Sequence, residues 1–199
     1  MKRFVLLIFL FCGFLHYGQE QWKLKKDANN IKIFVRNTPH SNFDEYKATT
    51  ILYTSIEHVL NELLSAPEYN HSKIESGISY YIKKRGDNEH VFYVKKELPW
   101  PLKNRDIVTL LTVKRISETK IKLILEGLPS EIGKSKNTLR IKTLMGHWLL
   151  ETEGNTTKVT QQLHLNPEGK IPPFVSNLLL VKGPYSTFLD LKKLENSSS

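Results

Sequence analysis

The 199 residues suffice for one domain with a real core, and 40% hydrophobic against 25% charged residues exclude a disordered or fibrous chain. Cys12 is the only cysteine, which excludes an internal disulfide and, once a leader carrying it is removed, any thiolate nucleophile or thiolate-bound metal. The net charge of +9 favours anionic partners, a membrane surface before nucleic acid, because no basic helix or aromatic RNA-reading motif accompanies it.

Lys2 and Arg3 precede an apolar run over residues 4–15, and the sequence turns polar at Gln19-Glu20-Gln21. This is the layout of a secretory signal peptide, with a run shorter than the roughly 20 residues a spanning helix needs. Residues 1–18 are therefore expected to be a leader cleaved after Gly18, and the protein to be exported, periplasmic or extracellular. Loss of Lys2 and Arg3 lowers the net charge to +7. Phe11 stands where a lipoprotein has a small residue before its cysteine, so lipid attachment at Cys12 is not expected.

Residues 22–26 and 31–36 read as short strands about an Asn29-Asn30 turn, and 43–53 as a third strand. Ser55 is a natural N-cap for a helix in which Ile56, Val59, Leu60, Leu63 and Leu64 recur at helical spacing, up to Pro67. Strands follow in pairs. Residues 74–85 and 90–98 flank Gly86-Asp87-Asn88, and 105–115 and 120–127 flank Ser117-Glu118. A polar loop over 128–137 is long enough to act as a flap. Residues 139–152 and 156–165 then flank Glu153-Gly154-Asn155, and such serial hairpins give an antiparallel meander. A closing helix starts at Pro172-Pro173, with Phe174, Leu178, Val181, Tyr185, Phe188, Leu189 and Leu191 on its apolar side. Gly183-Pro184 should kink or split it, and 195–199 is expected to be a disordered tail. This pattern alone reaches an α+β class: an antiparallel sheet with two long helices.

Pro99-Trp100-Pro101 fixes φ on both sides of a large ring. After a short polar gap, Arg105-Asp106 opens an apolar strand. These residues resemble the bacterial branch of the START (steroidogenic-acute-regulatory-related lipid transfer) domains. The likeness continues in residues 43–50 (FDEYKATT), in Gly146-His147-Trp148, in residues 161–172 (QQLHLNPEGKIP), and in Asn177 and Pro184; it covers 22–194. Ser72 departs from the pattern, standing where relatives often have Trp. The resemblance implies a helix-grip fold: a curved antiparallel β-sheet wrapped around a long C-terminal helix, with an internal hydrophobic cavity. Together with the leader it points to an exported lipid-binding or lipid-transfer protein that is not an enzyme. Such a protein holds one hydrophobic ligand between sheet and helix, needs no cofactor, touches an anionic membrane transiently, binds no nucleic acid and is a monomer. Two alternatives use the same fold: a cyclase- or aromatase-like enzyme working in that cavity, and an envelope interaction module whose core is filled.

Strand alternation then assigns the lining. If Arg105 points inward, so do Ile107, Thr109 and Leu111. Ile141, Thr143 and Met145 follow on the next inward row, because Arg140 and Lys142 prefer water. Gln161 and Leu163 face inward on the last strand, and Tyr46 and Thr50 on the third. Phe174, Asn177, Leu178 and Val181 close the space from the helix. Trp100 belongs at the cavity mouth or caps the sheet edge. Arg105 either anchors a polar lipid end, phosphate or carboxylate, or pairs with Glu97 or Asp106. The histidines are scattered without metal-ligand spacing such as H-E-x-x-H, so no metal is expected. No nucleophile or phosphate-loop motif points to catalysis.

Overall fold

The computed structural model describes residues 21–39, 41–65 and 77–196. The expected leader and Ser72 lie outside the described residues, as do the last three residues of the tail.

The chain opens with β1 (Lys23–Ala28) and β2 (Ile31–Arg36), joined by Asn29 and Asn30 at φ 53° and 58°. Two successive positive φ values make the tight hairpin turn that asparagine tolerates. β3 (Glu45–Leu52) follows, then α1 (Ile56–Leu64), whose N-cap Ser55 side chain accepts the His58 backbone N–H. The helix packs on β9 and β10, and the described chain resumes at the far edge of the sheet. From there β4 (Gly77–Lys84), β5 (Glu89–Lys96), β6 (Asn104–Ser117) and β7 (Lys120–Gly127) run as a meander. β8 (Thr138–Arg140) is a short parallel addition to β6, and β9 (Leu144–Glu153) and β10 (Thr156–Leu165) complete the sheet. The spatial order is β1-β2-β3-β10-β9-β7-β6-β5-β4. The serial hairpins are thus local, but the two halves meet at β3–β10, a pairing no neighbouring turn encodes.

The closing body consists of α2 (Pro173–Asn177), a π turn (Leu178–Lys182) and α3 (Gly183–Lys192). Pro184 explains the π turn. It lacks an N–H, and its ring crowds the carbonyl one turn back, so the backbone widens there and the Gly183 N–H reaches Leu178 O. A 3₁₀ turn (Lys193–Asn196) ends the described chain, and its Glu195 carboxylate accepts the Tyr53 backbone N–H at 3.1 Å.

The sequence expectation of a curved sheet wrapped around the C-terminal helix, with an internal cavity, requires correction. The class is α+β, with a ten-stranded, mainly antiparallel sheet and a C-terminal helical body. The sheet, however, is open: β1 and β4 form its two ends and do not pair with each other. The helical body spans only about 30 Å at 1.5 Å per residue. It lies chiefly on β2 and β3, where Phe188 is fully buried and stacks on Trp148 with centroids 5.5 Å apart. It therefore covers part of one face, and the uncovered part remains a cleft.

The main core fills the space beneath the helices, with Ile31, Ile33, Leu52, Val59, Ile121, Leu123, Leu150 and Val159 all buried. A second, smaller core lies on the opposite face. Val91, Tyr93 and Val108 pack there against Leu128 and Ile132. Residues 128–137 thus cover the outer face of β5 and β6, not the cleft.

Candidate functional site

The cleft holds about 490 Å³, within the roughly 300–1,000 Å³ of small-molecule sites. Its sheet wall comes mainly from inward-facing positions of six strands. β5 supplies Phe92, Val94 and Lys96; β6 supplies Arg105, Ile107, Thr109 and Leu111; β7 supplies Leu125. β9 contributes Leu144 and Trp148, and β10 contributes Gln161, Leu163 and Leu165, with Tyr46 behind them on β3. The π turn and the start of α3 close the other side with Leu178, Leu179, Lys182, Pro184 and Thr187. Most of this lining is aliphatic or aromatic, and a few polar groups are spaced along it.

Arg105 is the most buried cation in the wall, with 4% of its surface exposed. Each of its hydrogen bonds goes to a neutral main-chain carbonyl. Nε donates to Pro167 O at 3.1 Å, Nη2 to Glu168 O at 3.2 Å, and Nη1 to Lys103 O. A guanidinium has five N–H groups, so two are uncommitted among the described residues. Burial holds its pKa below the ordinary arginine value without neutralising it. Arg105 thereby clamps the turn that feeds the C-terminal helical body. In that turn Asn166 Oδ1 accepts the Glu168 N–H, and Glu168 and Gly169 take positive φ.

The neighbouring Asp106 points to the other face. Its carboxylate receives both Nε and Nη2 of Arg140 at 2.9 Å, and the Tyr93 hydroxyl donates to it at 3.2 Å. Arg140 also donates to Pro129 O, Ile132 O and Gly133 O. The expected pairing of Arg105 with Asp106 or Glu97 does not form. The Arg105-Asp106 dipeptide is instead a two-sided fastener, each member holding a different loop to β6.

Tyr46 and Gln161 form a second polar point, Tyr46 Oη donating to Gln161 Oε1 at 2.8 Å. Burial pushes the Tyr46 phenol well above its ordinary value of 10. Above about pH 10 the unfolded chain therefore loses a proton that the folded chain keeps. Stability should then fall as pH rises, by about 1.4 kcal/mol per pH unit from this group. Tyr46→Phe should remove that contribution; urea unfolding of both proteins on either side of pH 10 checks it. Tyr93, also raised chiefly by burial, is present in both proteins, so the difference between them is the readout.

Of the residues assigned from sequence, the structure brings together Tyr46, Arg105, Ile107, Thr109, Leu111, Ile141, Gln161, Leu163 and Leu178 at the cleft. It places the others elsewhere. Thr50 lies beyond the cleft, where its hydroxyl donates to Asn30 O at 2.9 Å. Thr143 and Met145 line a separate depression on the outer face, with His147, Gln162 and His164. Residues 141–143 interrupt the expected strand, so inward parity passes from Ile141 to Leu144, and the later positions of β9 change face. Asn177 is exposed, and Val181 packs on the main core. The Phe174 side chain lies outside the described residues. Trp100, 92% exposed, stands out from the β5–β6 turn. Among the described residues no group of three or more His, Cys, Asp or Glu could hold a metal.

Sequence reasoning missed the contributions of β5 and β7. Their signal was available: Phe92, Val94 and Lys96 alternate in phase with β6 across a two-strand register in which Val94 faces Ile107. It also missed why Gly146 is glycine. A Cβ there would lie 2.3 Å from Gln162 O, so the β9 backbone approaches β10 in a way no larger residue permits.

Comparison with known proteins agrees with this geometry. The START domain family model matches residues 16–189. An uncharacterized protein of Pseudomonas aeruginosa is 27% identical over 177 residues, covering 87% of this chain and 86% of that protein. A crystal structure of the STAR-related lipid transfer protein from Xanthomonas axonopodis is similar with a TM-score of 0.77 and 29% identity, over 88% of this chain and 98% of that one. The human StAR-related lipid transfer protein 5 is similar in fold alone, with a TM-score of 0.69 and 16% identity, over 88% and 86% of the two chains.

Proposed function

The chain belongs to the START domain family, and on that premise we propose that it is an exported, monomeric lipid-transfer protein that holds one hydrophobic molecule in the cleft between sheet and helical body. The family is one of lipid binding and transport without catalytic chemistry, and the protein is accordingly not an enzyme. The observation that carries the reading is the cleft itself: about 490 Å³ of open space with a mostly apolar wall. Each Å² of ligand surface removed from water there contributes about 25 cal/mol. Space of this size supports a bound ligand over a filled core.

Export is supported by Lys2-Arg3 and the apolar run at residues 4–15. Contact with an anionic membrane is supported at one end of the sheet. Trp100 projects there between two prolines, next to Lys103, and Ile78, 46% exposed, lies opposite Lys95 on the edge strand. An exposed ring flanked by lysines suits the boundary between lipid headgroups and acyl chains. Entry and exit then require movement of the helical body about its π turn. Residues 129–133 are fastened to the opposite face by Arg140 and take no part.

The test is native mass spectrometry and organic extraction of the mature protein, followed by lipid transfer between vesicles. A stoichiometric co-purifying lipid is expected. Thr109→Trp places an indole in the cleft and should abolish both lipid retention and transfer with the circular dichroism unchanged. Trp100→Ala should retain lipid but slow transfer from anionic vesicles, by roughly tenfold if about 1.4 kcal/mol of docking is lost. A bare protein mass that stays unchanged after incubation with mixed-lipid vesicles would sink the proposal.

A further inference from the structure

Resting on the reading of the cleft as a lipid site, we propose that Gln161 recognises an uncharged oxygen, carbonyl or hydroxyl, at the innermost end of the bound ligand.

An unmatched donor in an apolar setting carries the inference. Gln161 lies on the central strand β10, is 7% exposed, and lines the cleft. Its cross-strand neighbours are Ala48 on β3 and Trp148 on β9, and Val159 and Leu163 are the next inward positions along β10. One polar contact reaches it: the Tyr46 hydroxyl donates to Oε1 at 2.8 Å. Burial pushes the Tyr46 phenol up, so it keeps its proton, and the amide oxygen is the end that meets it. Nε2 is thereby turned away from Tyr46, and it has no acceptor among the described residues. That nitrogen carries two N–H donors. A buried donor left unmatched costs its desolvation, which an apolar side chain of the same shape would avoid. Packing alone would therefore be served better by methionine or leucine. Tyr46 acts as a positioning residue, fixing which end of the amide faces the ligand.

The register places this donor far from the Trp100 end of the sheet. From Gln161 the cross-strand row runs through Trp148 and Leu123 to Val113, all three buried. On β6, Val113 stands well beyond Arg105, about 26 Å along the strand at 3.3 Å per residue. Trp100 and the proposed membrane contact lie at the Arg105 end. A chain entering from there brings its leading end toward Gln161, where a ligand oxygen accepts the N–H groups that the protein leaves open. A bare hydrocarbon end leaves them unmatched.

Three probes of one chain length test this: heptadecane, the methyl ketone of the same chain, and the corresponding secondary alcohol. Each is carried in neutral phosphatidylcholine vesicles and offered to the delipidated mature protein, which is then re-isolated and extracted. The readout is the ratio of oxygenated probe to alkane retained, which a general loss of packing does not move. Gln161→Met should lower that ratio roughly fivefold, the weight of one neutral hydrogen bond. Tyr46→Phe frees the amide to turn and should lower it by a smaller factor. The better retained of ketone and alcohol identifies the oxygen as carbonyl or hydroxyl. On wild type, the infrared carbonyl band of isotope-labelled ketone should fall below its position in alkane solvent, and Gln161→Met should return it. A ratio and a band that are the same in Gln161→Met and wild type overturn the inference and leave lipid binding standing. Failure of wild type to retain any of the three probes overturns the lipid reading with it.

Discussion

Asp106→Asn is expected to destabilise the protein by about 3–5 kcal/mol, the usual cost of removing one partner from a buried ion pair. Both side chains of the Asp106–Arg140 pair are almost wholly buried, at 1% and 2% exposure. Hydrogen bonding to Asp106 raises the Arg140 pKa above its ordinary value, so the cation persists at any working pH and cannot escape by losing its proton. Urea unfolding measures the loss. The companion variant Asp106→Leu with Arg140→Met distinguishes two accounts of it. If the pair acted only as a pair, an apolar replacement would restore most of the stability. Here it should not, because Arg140 also satisfies the carbonyls of Pro129, Ile132 and Gly133. Those carbonyls lose their donor in the double variant, and limited proteolysis should cut within residues 128–137. Full recovery with an uncut loop would show that the loop is held by Leu128 and Ile132 alone.

Phe188→Ala should cost a similar amount, about 3–5 kcal/mol for deleting a fully buried aromatic ring. Phe188 has no exposed surface and stacks on Trp148 at an interplanar angle of 19°. Its loss removes the main contact that fixes α3 to the sheet. Trp148 is at once core and cleft wall, so the variant should also release lipid faster than wild type does. Phe188→Leu, which keeps most of the volume, should cost about 1 kcal/mol and retain the ligand. Thermal unfolding and dissociation of a fluorescent fatty acid read the two effects separately. Equal ligand release from Phe188→Ala and wild type would show that the helical body does not gate the cleft.

Much of the fold was legible because it is local. The Asn29-Asn30, Gly86-Asp87-Asn88 and Glu153-Gly154-Asn155 turns are written in residues that accept unusual φ, and the strands on either side alternate regularly. Ser55 announced its helix. The site was legible wherever one strand kept its phase: Arg105, Ile107, Thr109 and Leu111 follow from a period of two, as do Gln161 and Leu163. Phase failed where the chain breaks. The interruption at 141–143 has no proline and no glycine to mark it, so Thr143 and Met145 were assigned to the wrong face. Arg140 was expected in water because arginine usually is. Its burial depends on Asp106, 34 positions earlier, and on carbonyls of a loop whose conformation no local pattern sets. The wrapped sheet was carried over from the resemblance. Nothing in the pattern of strands set the curvature of the whole, and the register leaves both ends open.

The seam between β3 and β10 bears on how the molecule comes into being. Tyr46 and Gln161, hydrogen-bonded at the centre of the sheet, are 115 positions apart. The first three strands have no central partner until nearly the whole chain exists, while β4 to β7 can pair as they appear. Joining such distant segments is entropically slow, because the loop must close before any contact rewards it. A nascent chain emerging residue by residue therefore carries β1–β3 with an unsatisfied edge until residues 156–165 have been made. That interval is when it is most exposed to aggregation.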